Sequence, residues 1–388
     1  MSRRLPAAFR AGLPFALFYA AAFGGLGVFV PFWPLVLEAR GVEGAALGTA
    51  MALGTWARAA GSPLAGHLAD RLRRRRDMIV ALAVTAAGAA VAAWATDAVV
   101  PLLAAHLVVF ATFPAVIPLG ETQAMSAVVA RGLDYGRLRL WGSLAFIGGV
   151  LGVGALIDAR GPTLVPLAML AAFLGIALAA PALPHADRPR DRRPRAPLRD
   201  LLADRTFLAF LVGGACLQAS HAVYYAYSAV HWKAAGLSAG TVSWLWSEGV
   251  LAEVLLFSLA GSAVARFGPR GLLVMAAGGG LVRWSVLAAS TSVPVLAAVQ
   301  WLHALTFGAA HLGAMYFIAR HAPPGLQATA QGTYAAASGG LAMGAMSLAG
   351  GGLYDLAPWT AFGASAALSA VGGAVVLARV PQPHPTWA

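Results

Sequence analysis

A charged junction decides the fold, and it reads Leu-Asp-Tyr-Gly-Arg-Leu-Arg-Leu-Trp-Gly-Ser-Leu-Ala-Phe over residues 133–146. It leads into an apolar segment and places Arg137 and Arg139 within about one helical turn of the hydrophobic boundary. The preceding apolar segment contains Glu121, eighteen residues before Arg139. A helical hairpin with a short turn lays two such segments side by side, so we predict that Glu121 and Arg139 meet at similar depth in a membrane.

Composition extends this prediction to the whole chain. Of the 388 residues, 59% are hydrophobic and 11% are charged, and the mean hydropathy of +0.73 exceeds that of water-soluble domains. Apolar runs of about 20 residues, each long enough to cross a bilayer as a helix, recur throughout. We predict an all-α membrane protein with twelve transmembrane helices, near residues 12–34, 45–66, 78–96, 99–126, 140–158, 163–183, 206–228, 239–264, 271–290, 293–319, 331–353 and 359–380.

The distribution of basic residues predicts the orientation. Of 27 basic residues, 22 fall on the side of the two termini, and three (Arg40, Arg160 and Lys233) fall on the opposite side. The positive-inside rule then places both termini in the cytoplasm of a multi-pass protein, which we assign to a bacterial inner membrane. The net charge of +12 therefore reflects topology, so nucleic acid is not a predicted partner.

A proline-rich, charged stretch at residues 184–195 divides the chain. We predict an N-terminal six-helix half at 1–183, a cytoplasmic linker at 184–203 and a C-terminal six-helix half at 204–388. The sequence Gly66–Arg71 has a faint echo 195 residues later at Gly261–Arg266. Parallel six-span repeats are typical of transporters, whose substrate sites lie near the membrane midplane.

The stretch Gly66–Arg76 resembles the cytoplasmic loop signature of the major facilitator superfamily. In that family the loop locks the cytoplasmic face of the N-terminal half. The resemblance implies this gating role for Gly66, Asp70, Arg71, Arg74 and Arg75, whereas Arg73 stands where the family usually has glycine. An ordinary positive-inside loop is the alternative interpretation.

A narrower resemblance covers nearly the whole chain. Asp134–Ser143 is similar to the junction of the fourth and fifth spans in the phenylpropionic acid permeases and, less closely, the lactose permease. Further strings shared with these permeases are Gln218–Tyr225, Trp246–Val254, Val282–Trp284, Leu302–His303 and His311–Leu312. The resemblance implies two pseudo-symmetric six-helix halves, a proton gradient with no cofactor or metal, and a functional monomer.

Ionisable residues inside the spans indicate a polar cavity independently of any family. A charge near the bilayer centre costs at least about 2.5–3.5 kcal/mol, so each must face a partner or water. The residues concerned are Arg58, His106, Glu121, His221, Glu248, Glu253, Arg283, His303 and His311.

The resemblance to the lactose permease implies that Glu121 and Arg139 bind substrate. The aromatic position that stacks on a sugar falls on Phe146 rather than a tryptophan, which argues against a sugar. A purely structural Glu–Arg pair is the alternative. Other predicted substrate contacts are Arg58, His221, Tyr225 and His311. Aromatic side chains that could line a pocket for a phenyl ring are Phe15, Phe18, Tyr19, Phe23, Tyr224, Tyr225, Trp244, Trp246 and Trp284.

Arg283 and His303 look like the proton site of the lactose permease. The acid expected one turn after the histidine is Thr306, so we predict that Glu253, or Glu248 in its place, carries the proton near Arg283. Of His303 and His311, one could bind substrate and the other relay a proton. Two histidines that merely form hydrogen bonds in a packed interface are the alternative.

These observations predict a secondary transporter that is not an enzyme. Its predicted activity is proton-coupled uptake of an aromatic monocarboxylate such as 3-phenylpropionate by alternating access, with protons and the lipid bilayer as its other partners. The alternatives are proton symport of a sugar or nucleoside, and export of drug-like molecules. A membrane-embedded lipid-modifying enzyme is a remote alternative, because the short cytoplasmic loops have no Asp-rich cluster. No Gly-Lys-Ser motif supports ATP-driven pumping.

Overall fold

The computed structural model describes residues 7–184, 198–323 and 326–381, and all regular structure in these residues is helical. This confirms the all-α fold class. The first six spans follow one another with short connections: α1 (Ala7–Glu38), α2 (Gly44–Leu72), α3 (Arg75–Trp94), α4 (Val99–Arg131), α5 (Tyr135–Arg160) and α6 (Val165–Ala179), with 3₁₀ turns at Pro162–Leu164 and Ala180–Ala182 flanking α6.

The later spans are more often interrupted. After the short α7 (Leu198–Ala203), the helices are α8 (Arg205–Ala219), α9 (Ala222–Ala234), α10 (Ala239–Ser258), α11 (Ala260–Ala289), α12 (Val293–Gln300), α13 (Ala310–His321), α14 (Gln327–Ala335), α15 (Met343–Leu356) and α16 (Pro358–Arg379). Two π-helical segments, Ala304–Ala309 and Ala336–Ala342, lead into α13 and α15. Such segments often mark functional positions, because they re-aim side chains within a helix.

Nine helical stretches among the described residues are long and apolar enough to cross a membrane. The remaining three predicted spans correspond to α2, to α10 and to the run from Gln327 to Leu356. The α10 helix contains two glutamates, and α2 ends in charged residues, so both are less apolar than the other spans. The helix count therefore fits twelve spans.

The predicted boundary between the eighth and ninth spans is confirmed. The prediction ended one span at residue 264 and began the next at 271, and the chain turns between them, although α10 ends at Ser258 and α11 begins at Ala260 after a short irregularity. The break within α11 comes at Gly268, which has φ 65° and ψ 172° and precedes Pro269. Glycine tolerates this backbone conformation and proline cannot continue the preceding hydrogen-bond ladder, so the chain turns there.

The described chain belongs to two compact units. The first comprises Met1–Val42, Trp56–Arg190 and Ser238–Trp244, and the second comprises Glu43–Thr55, Asp191–Leu237 and Leu245–Ala388. Two helices, α2 and α10, begin in one unit and continue into the other. The division into halves at residues 184–203 stays a prediction, and its linker lies mostly outside the described residues.

Close helix contacts and buried aromatics form the core of the first unit. The α1 helix packs against α5 and α6, and Gly27 lies directly against the backbone of Phe146, where a methyl group would collide. The Trp33 indole donates a hydrogen bond of 2.7 Å to His106 Nδ1, and both side chains are buried. His106 is thus a core residue with a partner, as its position inside a span requires.

In the second unit, Phe210 stacks on Phe317 with ring centroids 4.2 Å apart. Next to this core, Asp204 Oδ2 lies 2.6 Å from His321 Nε2. Partial burial acts to raise the pKa of the Asp204 carboxyl. Hydrogen bonds from His321 and from the α8 amides outweigh that effect, so the pKa lies below its ordinary value.

Candidate functional site

The predicted pairing of Glu121 with Arg139 is confirmed. Arg139 Nε lies 3.2 Å from Glu121 Oε1, and the two side chains retain 34% and 25% of their exposure. The pair joins α4 to α5, as a helical hairpin requires. Because neither group is fully buried, both remain accessible to a polar ligand.

Two tyrosines hold the other oxygen of Glu121. The hydroxyls of Tyr19 and Tyr135 donate to Glu121 Oε2 at 2.9 and 2.8 Å. The Arg139 guanidinium carbon lies 3.7 Å from the centroid of the Phe23 ring, a cation–π contact. Tyr135 was not among the predicted site residues, although it lies four residues before Arg139 and so on the same helix face. Each charged group of the pair therefore has contacts in addition to its ionic partner.

Two other predicted substrate residues belong to the same unit. Phe146 is buried in α5, seven residues after Arg139, and its backbone lies against α1. Arg58 is partly exposed on α2. The structure thus brings Glu121 and Arg139 together, while roles for Phe146 and Arg58 in binding stay predictions.

The second unit contains a fully buried cation, Arg283. Its guanidinium donates to Gln300 Oε1 at 2.6 Å and to Thr306 Oγ1 at 3.0 Å, and Nη1 lies 3.0 Å from His303 Nδ1. All three hydrogen-bond partners are neutral. The rings of Tyr224 and Trp284 lie 4.6 and 4.7 Å from the guanidinium carbon. Arg283 is therefore held by dipoles and aromatic faces.

Sequence reasoning missed Gln300 and treated Thr306 only as the loss of an acid. Thr306 lies in the π-helical segment that begins directly after His303. Its hydroxyl supplies an acceptor for Arg283, so the threonine replaces the expected carboxylate as a ligand but not as a proton carrier. The only signal for Gln300 was an amide within an apolar run.

The contact with Arg283 fixes the tautomer of His303. An arginine cannot accept a hydrogen bond, so His303 Nδ1 must accept and the ring proton must lie on Nε2. That nitrogen lies 3.5 Å from Glu253 Oε2. The imidazole therefore stands between a cation and a carboxylate, which places Glu253 beside this cluster. One carboxylate oxygen of Glu248 is buried without a hydrogen-bond partner among the described residues.

His221 and its neighbours extend the cluster. The His221 ring lies 5.7 Å from Tyr225 and 6.2 Å from His303, centroid to centroid. Its Nδ1 lies 3.2 Å from the Leu217 carbonyl and therefore carries the proton. Within the described part of the chain, its Nε2 is buried and has no hydrogen-bond partner. This leaves one ring acceptor of His221 unpaired within the described ranges.

Phe307 separates the two histidines of the tenth span. Its ring stacks on His303 at 5.5 Å and on His311 at 6.2 Å, so the three rings form one column. The predicted common face of His303 and His311 is confirmed. His311 is exposed in this structure.

Most of the aromatic side chains that could line a pocket for a phenyl ring are buried in this structure. Of the nine aromatic side chains proposed for it, Phe15, Phe18, Tyr19, Phe23, Tyr224, Trp246 and Trp284 are all at most 8% exposed. Tyr224 stacks on Trp246 with centroids 4.6 Å apart. Only Tyr225 and Trp244 retain substantial exposed surface. A role for these rings in binding a phenyl group stays a prediction.

The predicted gating loop contains short ion pairs. Arg75 Nη2 lies 2.6 Å from Asp70 Oδ1, and Arg74 Nε lies 3.9 Å from Asp77 Oδ2. Gly66 has open space around it and Arg71 is exposed. The loop therefore pairs Asp70 with its own arginine, while the gating role of these residues stays a prediction.

Arg73 gives this loop an unusual backbone. Among the described residues it alone combines a side chain with a positive φ, of 55°. A left-handed conformation costs a non-glycine residue roughly 1–2 kcal/mol. The family's glycine at this position thus has a physical reason, and this chain departs from it at an energetic cost.

Replacing Arg73 by glycine is expected to stabilise the protein by about 1 kcal/mol, because glycine adopts this φ without strain. Thermal unfolding of the purified protein in detergent measures the change. Arg74, with φ −128°, is the matched control, and its replacement by glycine should not stabilise. A lower melting temperature for Arg73→Gly than for the parent would contradict the strain argument.

The chain is similar to known proteins in both sequence and fold. A model of the MFS_1 like family matches residues 13–364, which is most of the chain. The chain belongs to this family. Its members are major facilitator transporters, so the protein is a secondary transporter of multi-pass inner-membrane type and not an enzyme.

Two curated relatives show how close the resemblance is. The chain is 35% identical over 315 residues to the "Probable 3-phenylpropionic acid transporter" of Escherichia coli (strain K12), covering 78% of this chain and 81% of the relative. It is 30% identical over 350 residues to the "Maltose permease" of Geobacillus stearothermophilus, covering 89% and 88%. The predicted resemblance to phenylpropionic acid permeases is confirmed.

Solved structures share the fold at low sequence identity. The nucleoside transporter NupG superimposes with a TM-score of 0.83 at 15% identity, covering 96% of this chain and 100% of that one. A bacterial homologue of the lysosomal transporter Spinster, inward-facing and unoccupied, gives 0.67 at 13% identity, covering 97% and 96%. These matches support the major facilitator fold alone.

Proposed function

We propose that this family member imports an aromatic monocarboxylate such as 3-phenylpropionate together with protons. The observation that carries the proposal is Arg139, a partly exposed guanidinium lying against the Phe23 ring. A guanidinium binds a carboxylate through two parallel hydrogen bonds, and the neighbouring aromatic face suits a phenyl group. The name of the 35% identical relative points to the same substrate class.

In this proposal the substrate carboxylate competes with Glu121 for Arg139. The tyrosine hydroxyls on Glu121 Oε2 keep that carboxylate supplied with hydrogen bonds when Arg139 turns to the ligand. The pair can therefore open without leaving either charge unsatisfied, which a purely structural pair would not need. The candidate substrate contacts stay Arg58, Phe146, Tyr225 and His311. His221 offers a substrate an acceptor, because its Nε2 has no hydrogen-bond partner among the residues that the structure describes.

Charge balance supports proton coupling. Among the membrane-embedded groups considered above, three are arginines and three are glutamates. Their charges cancel when the histidines are neutral. A substrate carboxylate entering alone adds an uncompensated negative charge, which is costly in the membrane interior. One proton taken up by an acid restores the balance. The residues concerned are Arg58, Arg139, Arg283, Glu121, Glu248 and Glu253.

Glu253 is the proposed proton carrier. It is the acid beside His303, and His303 connects it to Arg283. When Glu253 is ionised it balances the buried arginine, and when it is protonated the cluster carries a net positive charge that an anionic substrate can offset. Glu248 stays the alternative carrier. Cytoplasmic termini, a functional monomer and gating by the Asp70 loop complete the proposal.

Sugar symport is the second candidate, because a maltose permease is 30% identical to this chain. The position that stacks on a sugar in the lactose permease is Phe146 rather than a tryptophan, so we rank this candidate below the aromatic acid.

Adding the sodium salt of 3-phenylpropionate to lightly buffered cells that express the protein is expected to alkalinise the medium. Symport removes one proton from the medium with each anion, and a pH electrode records the change. Vector-only cells correct for passive entry of the protonated acid, which also alkalinises the medium. A signal equal to that of vector-only cells would refute the substrate assignment, and maltose or nucleosides would then be tried in the same assay.

A further inference from the structure

We propose that Asp158 and Asp355 form two contacts, related by the internal repeat, that hold one face of the transporter closed. We call each contact a clasp, and we propose that the Asp355 clasp is the weaker. This inference deepens the proposed function, because it assumes alternating access. It concerns two carboxylates that neither substrate binding nor proton transfer uses. Each accepts hydrogen bonds from the backbone at the beginning of a distant helix.

The first clasp lies within the first unit. At the end of α5, the two oxygens of Asp158 accept hydrogen bonds from the amides of Ala239 and Gly240, both at 2.7 Å. These amides are the first of α10, where unsatisfied N–H groups and the helix dipole favour a negative charge. Ser243, one turn further, lies 2.9 Å from the Val150 carbonyl and 2.8 Å from the Ala239 carbonyl of its own helix, so its single hydroxyl proton is shared between them. Two bonds to Asp158 and one shared hydroxyl bond thus join the start of α10 to α5.

The second clasp lies within the second unit. At the end of α15, Asp355 Oδ2 accepts from the amide of Ala45 at 2.9 Å, at the beginning of α2. The Tyr227 hydroxyl adds a bond of 2.7 Å to the carbonyl of Gly44. One turn further along α2, Gly48 lies directly against Gly351, leaving no space for a side chain. Two hydrogen bonds therefore join the start of α2 to its neighbours.

The two clasps are related by the internal repeat. Asp355 follows Asp158 by 197 residues, and Ala239 follows Ala45 by 194. The tight contacts match as well, because Gly154 lies against Ser243 in one clasp as Gly351 lies against Gly48 in the other. A faint repeat in sequence thus becomes a repeated contact in the structure.

Both clasps belong to one face of the membrane. The α2 and α10 helices are even-numbered spans, so they begin on the side opposite the termini, which the predicted topology makes the outside. Each clasp joins a segment before the predicted linker to a segment after it. A movement that separates the two predicted halves on this face pulls the first turn of α2 or α10 away from its carboxylate, leaving amides without partners. The clasps therefore favour the outward-closed state.

Their hydrogen bonds are unequal. Asp158 accepts two charge-assisted bonds and Asp355 accepts one, and charge-assisted bonds are about twice as strong as neutral ones. Each clasp also has one neutral hydrogen bond, donated by Ser243 in the first clasp and by Tyr227 in the second. Loss of Asp158 should therefore shift the equilibrium further than loss of Asp355.

Cysteine accessibility tests this inference without any substrate. The single native cysteine is replaced in a Cys216→Ser background, and a reporter is introduced as Ala52→Cys or Ser247→Cys. These positions are 1% and 8% exposed and lie one turn beyond the tight contacts of α2 and α10. A membrane-impermeant maleimide is added outside intact cells, and the labelling rate is measured with Asp158→Asn or Asp355→Asn present. Asparagine keeps the size of the side chain and removes its charge.

We expect Asp158→Asn to raise the labelling rate of both reporters about tenfold, because opening of this face exposes both positions. Asp355→Asn should raise the rate less, because Asp355 accepts one charge-assisted bond and Asp158 accepts two. Asp97→Asn is the matched control, because Asp97 is an exposed carboxylate in a loop of the same face and caps no helix. Rates equal to those of Asp97→Asn would overturn the proposal. A larger effect of Asp355→Asn would overturn the predicted order.

A second variant and an independent readout keep the test decisive. Should Asp158→Asn fail to elute as a single species, Ser243→Ala removes the bond to Val150 without altering charge and should raise labelling severalfold. Unchanged labelling in Ser243→Ala as well would overturn the clasp. Failure of 3-phenylpropionate to alkalinise the medium would leave the labelling result intact, so the two proposals fail separately.

Discussion

Glu253→Gln is expected to reduce the steady-state ratio of internal to external substrate to about one under an imposed proton gradient, because no proton can then accompany the substrate. Exchange of internal for external substrate should persist, since it needs no net proton movement. The reason lies in the cluster around Arg283, where Glu253 is the carboxylate that lies 3.5 Å from His303. Proteoliposomes loaded with labelled substrate measure both activities on one preparation.

Glu248→Gln is the matched control for this variant, as it removes the other carboxylate of α10. Its accumulation ratio should stay well above one. Loss of accumulation in Glu248→Gln with retention in Glu253→Gln would reverse the assignment of the carrier. Loss of exchange as well as accumulation in Glu253→Gln would instead place Glu253 in substrate binding.

Arg139→Gln is expected to raise the substrate concentration needed for half-maximal transport by about 10- to 100-fold, which corresponds to loss of a hydrogen-bonded charge worth about 1.5–3 kcal/mol. The carboxylate loses the guanidinium that orients it. Arg139→Lys should recover only part of the loss, because an ammonium cannot form two parallel bonds. Initial rates of labelled uptake over a range of concentrations measure the change.

Arg137→Gln is the control for Arg139→Gln, because Arg137 lies in the same turn and its side chain is 87% exposed. The double variant Glu121→Gln/Arg139→Gln separates binding from a structural role. If the pair only holds α4 against α5, removing both charges should restore transport, since no unpaired charge remains. If Arg139 binds substrate, the double variant should be as defective as Arg139→Gln. Restoration would refute the binding role.

Several features of the site were predictable because they depend on local pattern. The pairing of Glu121 with Arg139 follows from two charges at equal distance from one turn, a geometry that any helical hairpin imposes. The common face of His303 and His311 follows from their spacing of eight residues. The exposure of Arg139 and the burial of the aromatic side chains could not be predicted from the sequence, because both depend on which neighbouring helices pack against these residues.

The sequence by itself determined the membrane class, the number of spans and the charged pair in the fourth and fifth of them. These properties rest on hydropathy and on spacing within one hairpin, which neighbouring residues specify. Only the tertiary structure showed that Tyr19 and Tyr135 hold Glu121, and that Gln300 and Thr306 hold Arg283. It also decided that Asp355 meets the amide of Ala45, 310 residues away in the chain. Small and polar residues are common in membrane helices, so only packing selects which of them become hydrogen-bond partners.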